Sequence, residues 1–507
     1  MLFSRESGIL LHPTSLPGKH GIGDLGPEAI KWLDCLAEAG QKLWQVLPLG
    51  PTGYGDSPYQ GLSSFAGNPL LISLDLLVKD ELLDPEALEI IPRLPQGEVL
   101  YEKVIQPKQA LLQKAAQRFL YEVPVTRLKD YVSFCEKESW WLDDFALYVA
   151  IKERQKLRPW SDWPEEYRDR DPEALDNARE RLFDAIEEQK ALQYFFYEQW
   201  ATVRTAANER GIRIIGDMPI FIAHDSAGVW SHPELFKLDD QGQPTVIAGV
   251  PPDYFSKTGQ RWGNPLYRWD LMAKDGYAWW KKRVAKTLEQ VDIVRVDHFR
   301  GFAAYWEIPG DEPTAIHGKW VDGPGKAFFD EIVKEFGKTL PILAEDLGNI
   351  TEDVIALRDG FGLPGMRILQ FAFGTDPMKH TFLPEAFVEN CIAYSGTHDN
   401  DTVCGWFHDD GSASSRTSEE CETERQACLE VIGGDGNDIA WDFIETLLNS
   451  KAGAVIFPMQ DVLGLGSEAR MNTPGNPSGN WRWRMTEADF TPEMIKRLAK
   501  SIKDAGR

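Results

Sequence analysis

Residues 291–301 read VDIVRVDHFRG. The valines and isoleucine give this run the composition of a buried strand, yet Arg295 and Asp297 sit inside it, two positions apart. In an extended chain, side chains at i and i+2 share a face. Arg295 and Asp297 therefore point one way, and Val294 and Val296 the other. A buried charge is costly unless it is paired or used. From these residues alone, a structural ion pair and a functional site are equally good readings.

Runs of the same kind recur along the chain: GILLH (8–12), KLWQVLP (42–48), IRIIGD (212–217) and DIVRVD (292–297), then PILAED (341–346), MRILQFA (366–372), CIAYSGTHD (391–399) and AVIFPMQD (454–461). Each is continuous rather than alternating, as strands buried on both faces should be. Amphipathic helical stretches lie between several of them. Examples are PEAIKWLDCLAEAG (27–40), FFYEQWATVRTAANERG (195–211) and GKAFFDEIVKEFG (325–337), the last two closed by glycine. Strands alternating with helices in this way predict an α/β chain, a closed parallel (β/α)8 TIM barrel over residues 1–507, in preference to an open sheet.

The longer separations predict insertions. A largely helical one follows strand two (76–192), an aromatic-rich one follows strand three (218–270), and a small one follows strand four (302–325). Insertions after barrel strands gather at the C-terminal face, where the active sites of this fold are built. The polar stretch HDDGSASSRTSEECETE (408–424) reads as an exposed connection leading into a helix.

Composition narrows the function classes. Hydrophobic residues make up 43% of the 507, ample for a sizeable core, and 54 Lys+Arg against 79 Asp+Glu leave a net charge of −25. That charge repels nucleic acid and anionic membrane, so neither is an expected partner. The six cysteines (Cys35, Cys135, Cys391, Cys404, Cys421, Cys428) are scattered and form no C-x-x-C. No metal site or disulfide is expected of them, and a reducing cytoplasm is the natural compartment. The start, MLFSRESGILLHPTSLPG, lacks the apolar segment of a signal peptide. No apolar run approaches the ~18 residues of a membrane span.

In the predicted barrel, strand three ends at Asp217, strand four at Arg295 and Asp297, strand five at Glu345, and strand seven at His398 and Asp399. One carboxylate at a strand end is usually a cap or a surface charge; carboxylates at several strand ends form a site. The first strand offers no HxH metal pair, since His12 is followed by Pro13 and Thr14, and there is no G-x-S-x-G elbow or phosphate-cradling loop. What remains is carboxylate chemistry. Two carboxyl groups acting across one bond are what glycoside chemistry requires. Arg295 is expected to hold Asp297 ionised. Glu345, after the apolar ILA run, is expected to have a raised pKa suited to a general acid. Asp399 would hold sugar hydroxyls, and His398 would donate a hydrogen bond.

Sugar rings also need aromatic platforms. The segment VPPDYFSKTGQRWGNPLYRW (250–269) carries Tyr254, Phe255, Trp262, Tyr267 and Trp269 without helix or strand periodicity, and reads as an aromatic loop over the barrel mouth. The turn GYGDSPYQ (53–60) brings Tyr54 and Tyr59 toward the same mouth.

The runs GDSPYQGLSSFAGNP, GDMPIFIA, GVPPDYFSKTGQRWGNPLY, VRVDHFRG, LAEDLG and SGTHDND resemble those of glycoside hydrolase family 77, the amylomaltases or 4-α-glucanotransferases. The likeness extends from LLHPTSLPG to ARMNTPGN, nearly the whole chain. It implies a (β/α)8 barrel without the C-terminal β-domain of α-amylases. It further implies Asp297 as nucleophile, Glu345 as general acid and then base, and Asp399 as transition-state stabiliser. Tyr59, Asp217, Arg295 and His398 match sugar contacts at the cleaved bond. Tyr254, Phe255 and Trp262 match the loop over the acceptor side, and Tyr54 with Tyr101 resembles a second glucan site. His224, in GDMPIFIAHDS, stands too far along the chain to match the α-amylase Asn-His and is left out of the site.

The implied partners are α-1,4-glucans (maltooligosaccharides, amylose, starch or glycogen fragments) and glucose, with no metal or organic cofactor. The implied reaction is retaining transfer of a glucan segment to a sugar 4-hydroxyl, with cyclisation of amylose as a further outcome. The carboxylates themselves do not choose between a sugar and water as the attacking group. A retaining α-amylase-type hydrolase and a catalytically silent glucan-binding protein are the alternatives.

Overall fold

The computed structural model describes every residue except 253–255 and 413–415; the side chain of Tyr54 is also outside the description. Eight parallel strands make the central sheet: Glu6–Leu10, Leu43–Gln45, Arg213–Pro219, Ile293–Asp297, Ile342–Ala344, Gly365–Ile368, Cys391–Tyr394 and Ala454–Pro458. Numbered in that order, their arrangement in space is six, seven, eight, one, two, three, four, five. Strands five and six meet where the Ala344 N–H donates to the Pro364 carbonyl at 2.9 Å, bringing the sheet round into a barrel. Each apolar run picked out in the sequence carries one of these strands.

Alternation along the strands builds two cores. Ile293 and Leu343 join Leu43, Ile215, Ile392 and Ile456 in one buried cluster. Val294, Val296, Ile342 and Val455 join helix residues such as Leu33 and Trp200 in another. Arg295 and Asp297 thus lie on the side opposite Val294 and Val296, as the i, i+2 reading requires.

The connection from strand two to strand three is helical, with Tyr101–Tyr121, Lys129–Arg154, Pro172–Arg181 and Phe183–Glu209 as its main elements. The boundary expected at residue 192 is absent. No Gly or Pro interrupts 183–209, so the last helix runs unbroken from the insertion to the approach of strand three. It ends before Gly211, whose φ of +71° suits glycine.

The other two insertions are not separate. Val246–Val250 and Gln260–Pro265 from the second pair antiparallel with each other, and Ala304–Pro309 and Lys319–Asp322 from the third complete one four-stranded sheet. Trp262 therefore lies on a strand rather than in a loop. Gln260–Pro265 has poor intrinsic strand propensity and is made a strand by its partner Val246–Val250. Tyr267 and Trp269 are core residues, 0% and 8% exposed, not part of an open platform.

The polar stretch 408–424 leads into the helix Ser418–Ile432, which begins with a Thr417–Glu420 capping box. All six cysteines are free thiols. Among the described residues no helix is long and apolar enough to cross a membrane, and no strand follows Pro458.

Gly8 of strand one pairs with Leu43 of strand two, and a Cβ there would lie 2.3 Å from the Leu43 carbonyl oxygen and 2.4 Å from its Cβ. Gly8→Ala is expected to destabilise the barrel by about 1–3 kcal/mol through overpacking. Urea unfolding checks this: a lower midpoint with unchanged slope is expected, and an unchanged midpoint counts against this tight contact.

Candidate active site

Strand register explains the charges in VDIVRVDHFRG. Asp217 of strand three stands opposite Arg295 of strand four, and Pro219 opposite Asp297. Arg295, 4% exposed, lies between two carboxylates. Its Nη1 is 2.6 Å from Asp217 Oδ2 and its Nη2 is 2.9 Å from Asp297 Oδ1. The Tyr59 hydroxyl donates to the same Asp217 oxygen at 2.7 Å. Burial works against the charge of Arg295, but Asp217 and Asp297 outweigh it and raise its pKa further. Tyr59 is likewise raised, first by burial and then by Asp217, and stays a phenol donor. Asp217 was expected to touch the sugar; its side chain instead has no exposed surface and acts on the site through Arg295 and Tyr59.

Asp297 departs from expectation. Arg295 does lower its pKa, but burial is the larger influence, and the carboxyl is pushed up to about 6. Arg295 therefore fixes the orientation of Asp297 more than it forces its ionisation.

Glu345 follows strand five directly. Its Oε2 accepts from the His298 N–H at 2.7 Å and its Oε1 from the Leu347 N–H at 2.8 Å. Burial first, and the charge of Asp297 second, push its pKa up to about 8, against the opposing pull of Arg295 and these two amides. The two carboxyls thus differ in the direction acid and nucleophile roles demand: Glu345 keeps its proton at a pH where Asp297 has lost it.

Strand seven ends at Tyr394, and a loop carries His398 and Asp399. Tyr59 stacks on His398 with ring centroids 5.0 Å apart, and His398 Nε2 lies 3.5 Å from Asp399 Oδ1. Asp399 is the open member of the three carboxylates, its side chain 48% exposed. Several residues that sequence reading missed hold this loop. Asn472 Nδ2 donates to Asp399 Oδ1 at 2.6 Å, the Asn472 N–H donates to the His398 carbonyl at 3.0 Å, and Arg470 Nη2 donates to the Asp399 carbonyl at 2.8 Å. Buried Asp461, raised to about 6 by burial, accepts from Ser395 Oγ at 2.6 Å and from the Val403 N–H at 2.8 Å, bracketing the loop. The ARMNTPGN run held the signal for Arg470 and Asn472; Asp461 reads as an ordinary strand end.

Trp262 reaches the site through His298, meeting its ring edge-on at 4.8 Å. Tyr254 and Phe255 lie outside the described residues. Tyr101 does not fit a surface glucan platform. It is 4% exposed, and its hydroxyl donates to the Trp481 carbonyl at 3.2 Å. The apolar face of its helix explains the burial, since Val104 and Leu111 are buried alongside it. Tyr54 begins the short 3-10 turn Tyr54–Asp56. His224 bonds the Gly242 carbonyl at 2.7 Å and packs on Trp160, which is a structural role. Among the described residues no group of three or more His, Cys, Asp or Glu is arranged to hold a metal ion.

The ends of strands four, five and seven thus carry an arginine-anchored aspartate, an amide-cradled glutamate and a third, exposed carboxylate, a set able to supply both an acid and a nucleophile across one glycosidic bond. Comparison with known proteins is more specific. A sequence profile described as 4-alpha-glucanotransferase matches residues 11–490, and the chain belongs to that family. It is 48% identical over 504 residues to a 4-alpha-glucanotransferase of Thermus thermophilus, covering 98% of each chain. To the chloroplastic/amyloplastic 4-alpha-glucanotransferase of Solanum tuberosum it is 44% identical, covering 99% of this chain and 86% of the other. Among solved structures, the amylomaltase of Streptococcus agalactiae in complex with acarbose superposes with a TM-score of 0.93 at 39% identity, over 99% of this chain and all of that one.

Two predictions follow from the carboxyl pair. If Asp297 acts ionised and Glu345 protonated, kcat/KM should be bell-shaped, with an acid limb near 6 and a basic limb near 8. A profile flat from pH 5 to pH 9 would contradict the assignment. The second concerns stability. Because the native state raises Glu345 from 4.5 to about 8, it keeps a proton that the unfolded chain releases in that window. Stability is therefore lost as pH rises through it. Glu345→Gln removes that loss, so the variant's advantage in Tm over wild type should grow between about pH 5 and pH 8. A pH-independent difference would show that Glu345 is not raised.

Proposed function

We propose that this chain transfers α-1,4-glucan segments from a donor maltooligosaccharide or amylose to the 4-hydroxyl of glucose or another glucan. The observation that carries the reading of transfer is the match to the 4-alpha-glucanotransferase family over residues 11–490; the separation of roles between Asp297, tethered to Arg295 at 2.9 Å, and Glu345, pushed up to about 8 by burial, supports the bond chemistry. In the first half-reaction the Asp297 carboxylate attacks C1 of the donor sugar. The C1–O4 bond breaks, and Glu345 gives its proton to the departing O4. In the second, Glu345 takes the proton of the acceptor 4-hydroxyl, whose oxygen attacks C1 and releases Asp297. Each half inverts C1, so the α linkage is retained.

Asp399, exposed and oriented by Asn472, binds the hydroxyls of the distorting ring. When the non-reducing end of the same chain supplies the acceptor hydroxyl, the product is a cyclic glucan. An aromatic cover on the acceptor side, to which Trp262 belongs, limits entry of water. The free thiols of all six cysteines fit a cytoplasmic setting.

Incubation with maltotriose tests transfer. Glucose and a ladder of longer maltooligosaccharides, with total reducing ends nearly constant, are expected. Reducing ends rising in step with substrate consumption would make the enzyme a hydrolase. Asp297→Asn and Glu345→Gln should each lower turnover on the order of 10³-fold while retaining glucan binding. Near-normal turnover in either variant removes that residue from the mechanism.

A further inference from the structure

The turn after the nucleophile strand is unusual for its residue type. His298 has φ 56° and ψ 48°, the left-handed conformation that glycine takes readily and that costs other L-residues roughly 1 kcal/mol or more. It is held in place on several sides. Trp262 meets its ring edge-on at 4.8 Å, Phe221 lies 6.4 Å away, and a Cβ on Gly301 would sit 3.3 Å from His298 Cδ2. The Gly301 N–H donates to the His298 carbonyl at 3.0 Å, and the next N–H, that of Phe299, donates to the Glu345 carbonyl at 3.1 Å. What the conformation achieves is visible at its own amide, which donates to Glu345 Oε2 at 2.7 Å. Strain maintained beside a reacting group is strain with a use.

We infer that His298 is a positioning residue for the acid/base glutamate, acting through its left-handed main chain rather than its imidazole: the turn aims the His298 N–H at Glu345 Oε2 and, with the Leu347 N–H on Oε1, fixes the carboxyl in the plane needed for both proton transfers. The inference rests on the reading of Glu345 as acid and base given above. The imidazole is kept neutral by burial and by Arg300, its pKa lowered to about 3, and its Nε2 is buried without a hydrogen-bond partner. Among the described residues the bond between His298 and the Glu345 carboxyl is made by the main-chain N–H, so the amide is the contribution this residue makes to Glu345. An N–H on a carboxylate favours the ionised form. The amide therefore also eases the return of Glu345 to base in the second half-reaction. The charged groups facing Glu345 are Asp297 and Arg295 of strand four, and Arg300 faces His298.

Backbone preference separates this account from a side-chain role. His298→Asn and His298→Gly both accept the left-handed region, whereas His298→Val resists it. In His298→Val, kcat is expected to fall about tenfold or more, and the basic limb of kcat/KM to move up by roughly half a pH unit or more, because the carboxylate loses a donor. In the Asn and Gly variants the limb should stay near the wild-type position. The position of a limb does not depend on how much of a preparation is folded, so a poorly folding Val variant still reports. Equal losses in all three variants, or an unmoved limb in His298→Val, overturn the inference. The pH dependence of Tm, with and without Glu345→Gln in each background, reads the same shift without turnover. A wild type devoid of activity would overturn the function reading, and the Tm comparison would still decide whether the His298 N–H holds Glu345.

Discussion

The site depends on one buried guanidinium held between two carboxylates. Arg295 bridges Asp217 on the neighbouring strand and Asp297 two residues along its own, at 2.6 and 2.9 Å. Removing either carboxylate would leave an under-compensated charge inside a barrel, which is far costlier than losing a surface pair. The bridge also fixes geometry: register sets Asp217 opposite Arg295, the pleat puts Asp297 on the same side, and a planar fork satisfies both. Tyr59 enters the network through the same Asp217 oxygen and stacks on His398, so the loop after strand two is tied to the loop after strand seven. The ion pair that opened the question is a structural bridge that also orients Asp297.

Around that centre the protein sets its carboxyls apart by environment. Glu345 is part-buried and held by amides, and it faces the charge of Asp297. Asp297 has Arg295 to oppose its burial. Asp399 is open to solvent and oriented by Asn472. Three acidic side chains thus differ in kind: one keeps its proton, one is aimed by a guanidinium, and one presents its oxygen atoms to solvent. The loop bearing Asp399 needs its own supports, Asp461 at its two ends and Arg470 with Asn472 at Asp399 itself, since strand seven ends several residues earlier.

Much of this was legible in the chain. Eight apolar runs gave eight strands because strands buried on both faces need unbroken hydrophobic sequence. Asp217, Arg295, Asp297, Glu345, His398 and Asp399 were found because they sit at or just beyond those runs. The rest depends on contacts between distant segments. The four-stranded sheet joins two insertions whose pairing leaves no local trace, and Gln260–Pro265 does not look like a strand until it meets Val246–Val250. The burial of Tyr101 and Asp217, and the fact that burial outweighs Arg295 at Asp297, are consequences of packing. The left-handed turn at His298 falls on a residue that takes that region far less readily than glycine.

The most direct test of the central claim, that Asp297 attacks the sugar and Glu345 serves as acid and base, uses Glu345→Gln with an α-maltosyl fluoride donor. Fluoride leaves without a proton, so the first half-reaction should proceed while the second, lacking its base, stalls. Mass spectrometry of the intact protein is expected to show a glycosyl adduct, and peptide mapping to place it on Asp297. An adduct on another residue, or donor consumed with none accumulating at any time, would contradict the account.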